Sequence, residues 1–121
     1  MRFQDLLAYK KSFSLAMRIF EISKTFPSEE RYSLTDQIRR SSRSVSANIA
    51  ESYAKRLYPK YFINKLTDSD AENLETQVWL EYAMECEYIN KDIFDDLVNE
   101  SLQIGKLIYF MINNPGKFGS K

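Results

Sequence analysis

The stretch Ser33–Arg56, SLTDQIRRSSRSVSANIAESYAKR, carries the pattern from which the fold is read. Leu34, Ile38, Ser42, Val45, Ile49 and Tyr53 recur at intervals of three and four, the spacing of one side of an α-helix. Yet six of its residues are serine and five are arginine or lysine. Serine is a mediocre helix former because its hydroxyl competes for backbone groups. A helix that keeps so many draws its stability from packing, since small side chains let a neighbouring helix approach closely. Arg39, Arg40 and Arg43 project from the side opposite the apolar one, while Gln37, Ser41, Ser44 and Asn48 lie along the flank. Gln37 and Asn48 are expected at helix contacts, where their amides hydrogen-bond directionally and fix register.

Outward from this segment the chain reads as helix throughout. Pro27 and Pro59 fall between periodic segments and Pro115 marks the end of the last, the usual punctuation of helices. The expected helices cover about 3–25, 33–57, 59–88 and 91–114, with no sustained strand alternation and no internal repeat. Long helices joined by short links favour antiparallel neighbours. The expected fold is all-α: an antiparallel up-down-up-down four-helix bundle, a single domain over 1–121, assembled as a ring-like homo-oligomer.

The other helices add detail. In the first, Phe3, Leu6, Phe13, Met17 and Phe20 form one apolar stripe, and Leu15, Ile19, Ile22 and Phe26 form a second. One stripe serves a bundle core and the other needs a further surface, so Leu15, Ile19, Ile22 and Phe26 are candidates for a subunit interface. The third helix opens at Tyr58-Pro59, with proline in its first turn. It is dominated by Asp68, Asp70, Glu72, Glu75, Glu81, Glu85 and Glu87. The fourth carries Ile93, Leu97, Ile104, Ile108 and Met111, with Gly105 as a place for a neighbour to come close.

The net charge of zero hides an asymmetry. Residues 1–65 hold 13 Lys/Arg and 6 Asp/Glu, a net of +7, and residues 66–121 hold 4 and 11, a net of −7. Such a split suits a polyanionic partner, head-to-tail self-association, or pairing of basic with acidic helices inside one bundle. There is no histidine, which removes Ser-His-Asp and Cys-His arrangements and the Glu-x-x-His ligands of di-iron bundles. The single cysteine, Cys86, makes no intrachain disulfide and no thiolate zinc site, and it fits a reducing compartment, so the expected location is the cytoplasm. No secretory leader, membrane span or phosphate-binding glycine loop is apparent, and no cofactor is expected. One enzymatic reading survives: Glu72 and Glu75 with Asp92, Asp95 and Asp96 as a Mg²⁺ cluster of the kind used by all-helical nucleotide pyrophosphohydrolases. Acidic residues at this spacing more often dress a solvated helix.

A set of motifs carries a resemblance over nearly the whole chain. They are Phe26-Pro27-x-Glu29, then Tyr32-x-Leu34-x-x-Gln37-Ile38-Arg39-Arg40, then Ser44-Val45-Ser46-Ala47-Asn48-Ile49-Ala50-Glu51, then Leu74-Glu75-Thr76-Gln77 and Tyr88-Ile89. The chain resembles the small four-helix-bundle proteins encoded in intervening sequences of bacterial 23S rRNA genes, often called ribosomal-protein-like. These are related to the accessory variability proteins of diversity-generating retroelements. Ser46 stands where that family usually has proline, Ser52 where it has glycine, and Asn73 where it has glutamate.

The resemblance implies a barrel-like homopentamer. It also implies association with nucleic acid, in the retroelement branch beside a reverse transcriptase. From the residues themselves, Arg39, Arg40, Arg43, Lys55, Arg56 and Lys60 are the expected nucleic-acid contacts, making salt-sensitive and weakly specific bonds to phosphates of RNA or DNA. Tyr53, Tyr58 and Tyr61 are candidates to stack on unpaired bases, or else to pack within the assembly. Gln37, Asn48, Glu51 and Glu75 are assigned structural or interface roles. The expected function is non-catalytic nucleic-acid binding or scaffolding of a nucleic-acid enzyme, with a protein–protein module as the alternative. In that rival the basic patch meets the acidic patch of a neighbouring subunit, and the acidic third helix neutralises the arginines within the assembly.

Overall fold

The computed structural model describes residues 1–120. Among the described residues there are four α-helices and no strands: α1 (Leu7–Ser23), α2 (Leu34–Ala54), α3 (Pro59–Glu85) and α4 (Lys91–Asn113). They form a helical bundle in which α1 lies against α2 and α4, and α3 lies against α2 and α4, with α2 and α3 the most extensively packed pair.

Helix ends follow local chemistry. Leu6 is extended, so Phe3–Asp5 forms a separate short turn and α1 starts four residues later than its periodicity suggests. Glu30 begins α2: its carboxylate accepts from the Leu34 amide (3.3 Å), the Ser33 hydroxyl (2.6 Å) and the Tyr88 hydroxyl (2.9 Å). These donors stabilise the charged form and hold its pKa below the usual carboxylate value, with Ser33 the largest contributor. The same bond raises the Tyr88 phenol to about 12. Asn90 caps α4 by accepting from the Ile93 amide at 2.8 Å. At the end of α3, the Tyr88 amide donates to Ala83 O and the Glu87 amide to Met84 O, both at 2.9 Å. This is a Schellman turn, and it places Glu87 in the left-handed region at φ 63°.

The core contains Leu15, Ile19, Ile38, Val45, Ile49, Phe62, Leu66, Leu80, Leu97, Ile104 and Ile108, all essentially inaccessible. This corrects the reading of α1. Leu15, Ile19 and Phe26 are buried and Ile22 packs against them, so that stripe faces this chain's own core and not an outer interface. The reason lies in the small residues: Ala8, Ser12, Ala16 and Ser23 are buried on the same side, where neighbouring helices press close. Phe13 and Met17, of the other stripe, are 50% and 46% exposed.

The serines of α2 have a similar role. Ser41, Ser42, Ser46 and Ser52 are buried, and their hydroxyls donate to carbonyls three residues back in their own helix. Each occupies little space and leaves no unsatisfied donor behind. Polar bonds then cross between helices. Ser41 and Thr76 share a hydrogen bond at 2.9 Å, and Ser69 Oγ donates to Val45 O at 2.8 Å. Asn73 Nδ2 donates to Ser101 O (2.9 Å), while Ser101 Oγ donates to Asn73 Oδ1 (2.8 Å) and accepts from Gln77 (2.9 Å).

Asn48 therefore does not hold the position expected of it. It is half-buried and donates to Ser44 O within α2, so the buried amide at a helix contact is Asn73. Gln37 is also half-buried. It accepts from Arg40 and borders a cleft of about 640 Å³ shared with Trp79 and Tyr82.

Candidate nucleic-acid and self-association surfaces

The six basic residues expected to act together divide into three groups. Arg40 reaches across to α3, where its guanidinium pairs with Glu72 (3.0 Å) and with Glu75. Glu75 also accepts from the Trp79 indole at 3.2 Å. Arg40 is thus neutralised by the acidic third helix of its own chain, and Glu75 is the structural partner.

Arg39 and Arg43 turn toward α1. Arg39 donates to Ser23 Oγ at 2.8 Å, and its guanidinium lies 4.7 Å from the Phe20 ring centroid. Arg43 and Lys24 lie 5.4 and 4.8 Å from the same centroid. The ring quadrupole holds the cations in place without a carboxylate on either arginine among the described residues.

Lys55 and Arg56 follow the last turn of α2, with Lys55 about 18 Å from Arg43 by the helical rise, and Lys60 lies in the first turn of α3. Lys55 and Lys60 are exposed. Arg56 donates to Tyr53 O (2.9 Å) and stacks 4.1 Å from the Tyr53 ring, which fixes its direction. Tyr58 and Tyr61 meet edge to face at 6.2 Å and are each 60% exposed, with Lys55 5.9 Å from the Tyr61 ring. This end therefore combines three cations with two accessible aromatic rings, chemistry suited to phosphates and unstacked bases. Among the described residues none of the three pairs with a carboxylate; Glu51, one turn before them, pairs with Lys65 at 3.3 Å.

The carboxylates considered for Mg²⁺ do not converge. Glu72 and Glu75 are held by Arg40, Asp96 by Arg18 of α1, and Asp95 by Lys91. Among the described residues no three acidic or thiol side chains are placed to share a metal.

A surface missed in the sequence lies between α3 and α4. It is a groove of about 700 Å³ lined by Leu74, Gln77, Leu102, Tyr109 and Phe110, with Asp70 and Lys106 at its margin. Leu74, Leu102 and Tyr109 are more than half exposed. The signal was present as Leu102, Tyr109 and Phe110, which fall off the stripe made by Leu97, Ile104, Ile108 and Met111.

The fold is that of the small all-α bundles, and its distinctive surfaces are a basic aromatic end and an apolar side. The chain belongs to the family of 23S rRNA-intervening sequence proteins, whose family model matches residues 4–110. Among solved structures it is similar to a protein of unknown function from the S23 ribosomal protein family of Bacteroides thetaiotaomicron VPI-5482. That protein is 32% identical with a TM-score of 0.80, over 91% of this chain and 98% of that one. No curated protein matches the chain. No helix among the described residues is long and apolar enough to cross a membrane.

Proposed function

We propose that this chain is a non-catalytic, self-associating cytoplasmic protein that binds RNA or DNA, or holds a nucleic-acid enzyme such as a reverse transcriptase, through the basic end of α2. The observation that carries the reading is the cluster of Lys55, Arg56 and Lys60 beside the exposed Tyr58 and Tyr61, with no carboxylate partner among the described residues. In this reading the single domain is an up-down-up-down bundle. Support comes from the descending order of the α2–α3 pairings: Arg40 with Glu75, Val45 with Ser69, Glu51 with Lys65. Arg39 with Ser23 and Tyr53 with Met1 do the same for α2 and the N-terminal segment. The bundles assemble as a closed homo-oligomer, a pentamer by the resemblance drawn above.

The test is fluorescence anisotropy with a labelled 20-nucleotide single-stranded RNA, titrated at several salt concentrations. Three phosphate contacts give a slope of log affinity on log salt of about −2.1 to −2.7, or roughly 20- to 40-fold weaker binding from 50 to 200 mM salt. A Lys55→Gln/Arg56→Gln/Lys60→Gln variant loses most of the affinity and most of that slope. An Arg40→Gln variant keeps both, because its charge is already spent on α3. Equal binding by the triple variant and the parent overturns the assignment. The second reading, a protein–protein module, is favoured by the exposed apolar groove between α3 and α4.

A further inference from the structure

Ion pairs inside the chain do not remove the charge asymmetry of the sequence. Among the described residues, Lys10, Lys11, Arg39 and Arg43 of α1 and α2 lack a carboxylate partner, and Asp68, Asp70, Glu81 and Glu85 of α3 lack a basic one. What remains is a cationic side on α1–α2 and an anionic side on α3–α4. Because α1 contacts α2 and α4, and α3 contacts α2 and α4, the α1–α2 and α3–α4 pairs lie on opposite sides of the bundle.

Each side is also apolar. On α1 the spacing sets Lys10, Phe13, Met17 and Phe20 along one side, and Phe20's approach to Arg39 and Arg43 turns that side toward α2. Phe13 and Met17 protrude there, about half exposed, with the Tyr9 ring packed beside Phe13 at 5.9 Å. On α3 the same spacing puts Asp70, Leu74, Glu81 and Glu85 along one side; Asp70 and Leu74 line the α3–α4 groove, and Glu81 and Glu85 lie beyond its end on the same helix. One side thus offers apolar knobs among cations. The other offers an apolar groove with Asp70 and Lys106 in its lining and the unpaired Glu81 and Glu85 further along α3.

We propose that Phe13 and Met17 of one copy seat in the α3–α4 groove of a second copy, against Leu74, Leu102 and Tyr109, with Lys10 and Arg43 facing Asp70 and Glu81 across the contact. This rests on the self-association reading and gives it its surfaces. The occupant is a second copy because the chain carries both halves: exposed apolar side chains on its cationic side and an apolar groove on its anionic side. Two different surfaces on opposite sides make the contact head-to-tail, so it propagates from copy to copy and ends when a ring closes. Lys55, Arg56 and Lys60, at the turn between α2 and α3, stay outside it.

The test uses two full-length variants changed only at exposed residues: a knob variant, Phe13→Glu/Met17→Glu, and a groove variant, Leu102→Glu/Tyr109→Glu. Circular dichroism first establishes parent-like helix content in each. If either has lost it, Met17→Gln and Leu102→Gln replace the pair. By sedimentation equilibrium each variant alone runs near the 14.3 kDa chain mass. Mixed in equal amounts they form a species of about twice that mass and nothing larger, since each pair keeps one intact knob and one intact groove. A variant that assembles like the parent, or a mixture that stays monomeric, overturns the face assignment while leaving self-association standing. A monomeric parent overturns self-association itself.

Discussion

Replacing Glu87 by glycine should stabilise the protein, although glycine is ordinarily a destabilising choice. Glu87 sits at φ 63° in the turn that ends α3, where the Tyr88 and Glu87 amides reach back to Ala83 and Met84. For a residue with a Cβ the left-handed conformation costs about 1–2 kcal/mol, from the approach of Cβ to the following carbonyl. Glycine is free of that strain but gives the unfolded chain more conformations, which offsets about 0.5–1 kcal/mol. The balance is a gain of roughly 0.5–1 kcal/mol. With about 2.1 cal/mol/K of unfolding entropy per residue, 121 residues give roughly 250 cal/mol/K, and the melting midpoint rises by about 2–4 °C.

Glu87 also places a negative charge at the negative end of a helix, so part of any gain comes from removing that charge. Glu87→Ala separates the two contributions, because it removes the carboxylate and keeps the Cβ. Thermal unfolding followed at 222 nm, at one fixed protomer concentration because assembly itself shifts the midpoint, compares the three proteins. Glycine should exceed alanine by most of the effect. If the two melt together, the positive φ carries no strain and the reasoning fails.

Asn73→Ala should cost about 1–3 kcal/mol, because it strands the buried Ser101 groups on α4, whereas Asn48→Ala should stay within about 0.5 kcal/mol, since its amide serves only its own helix. Urea midpoints for the two variants check this, and equal losses would refute it. Gly105→Ala should raise stability by about 0.5–1 kcal/mol, because the added Cβ would lie 3.5 Å from Asn73 Nδ2, an ordinary contact, and helix propensity improves; a lowered midpoint would show that the α3–α4 approach has no room. Because the Glu30 carboxyl titrates below its unfolded value, its contribution is present above about pH 4.5 and is lost as the pH falls through the folded value. Glu30→Gln should therefore flatten the fall of the melting midpoint below that pH, and a parent-like profile would assign the acid sensitivity to other groups.

The number of helices and their approximate bounds were legible because they rest on local signals: apolar spacing and the prolines between segments, Pro59 in the first turn of α3 among them. Leu6 was not, since a single extended residue that splits a periodic stretch leaves no trace in the period. The serines of α2 announced close packing, and the structure buries four of them. The same signal in Ala8, Ser12, Ala16 and Ser23 marks the core side of α1, and larger apolar residues at interleaved positions concealed it. Asn48 and Asn73 are the same side chain on helices of similar pattern. Only the neighbours brought near by the fold made Asn73 the bond to α4 and left Asn48 to its own helix.

Charge divides in the same way. The sequence by itself determined that the first 65 residues carry +7 and the remainder −7, because charge is a property of composition. It could not say which arginines are already neutralised, since that depends on distances of a few ångströms between residues more than thirty apart in the chain. Arg40 and Arg43 are one helical turn apart in α2. The tertiary structure sets Glu72 and Glu75 beside Arg40 and the Phe20 ring beside Arg43, so one charge is consumed within the fold and the other stays available for a partner.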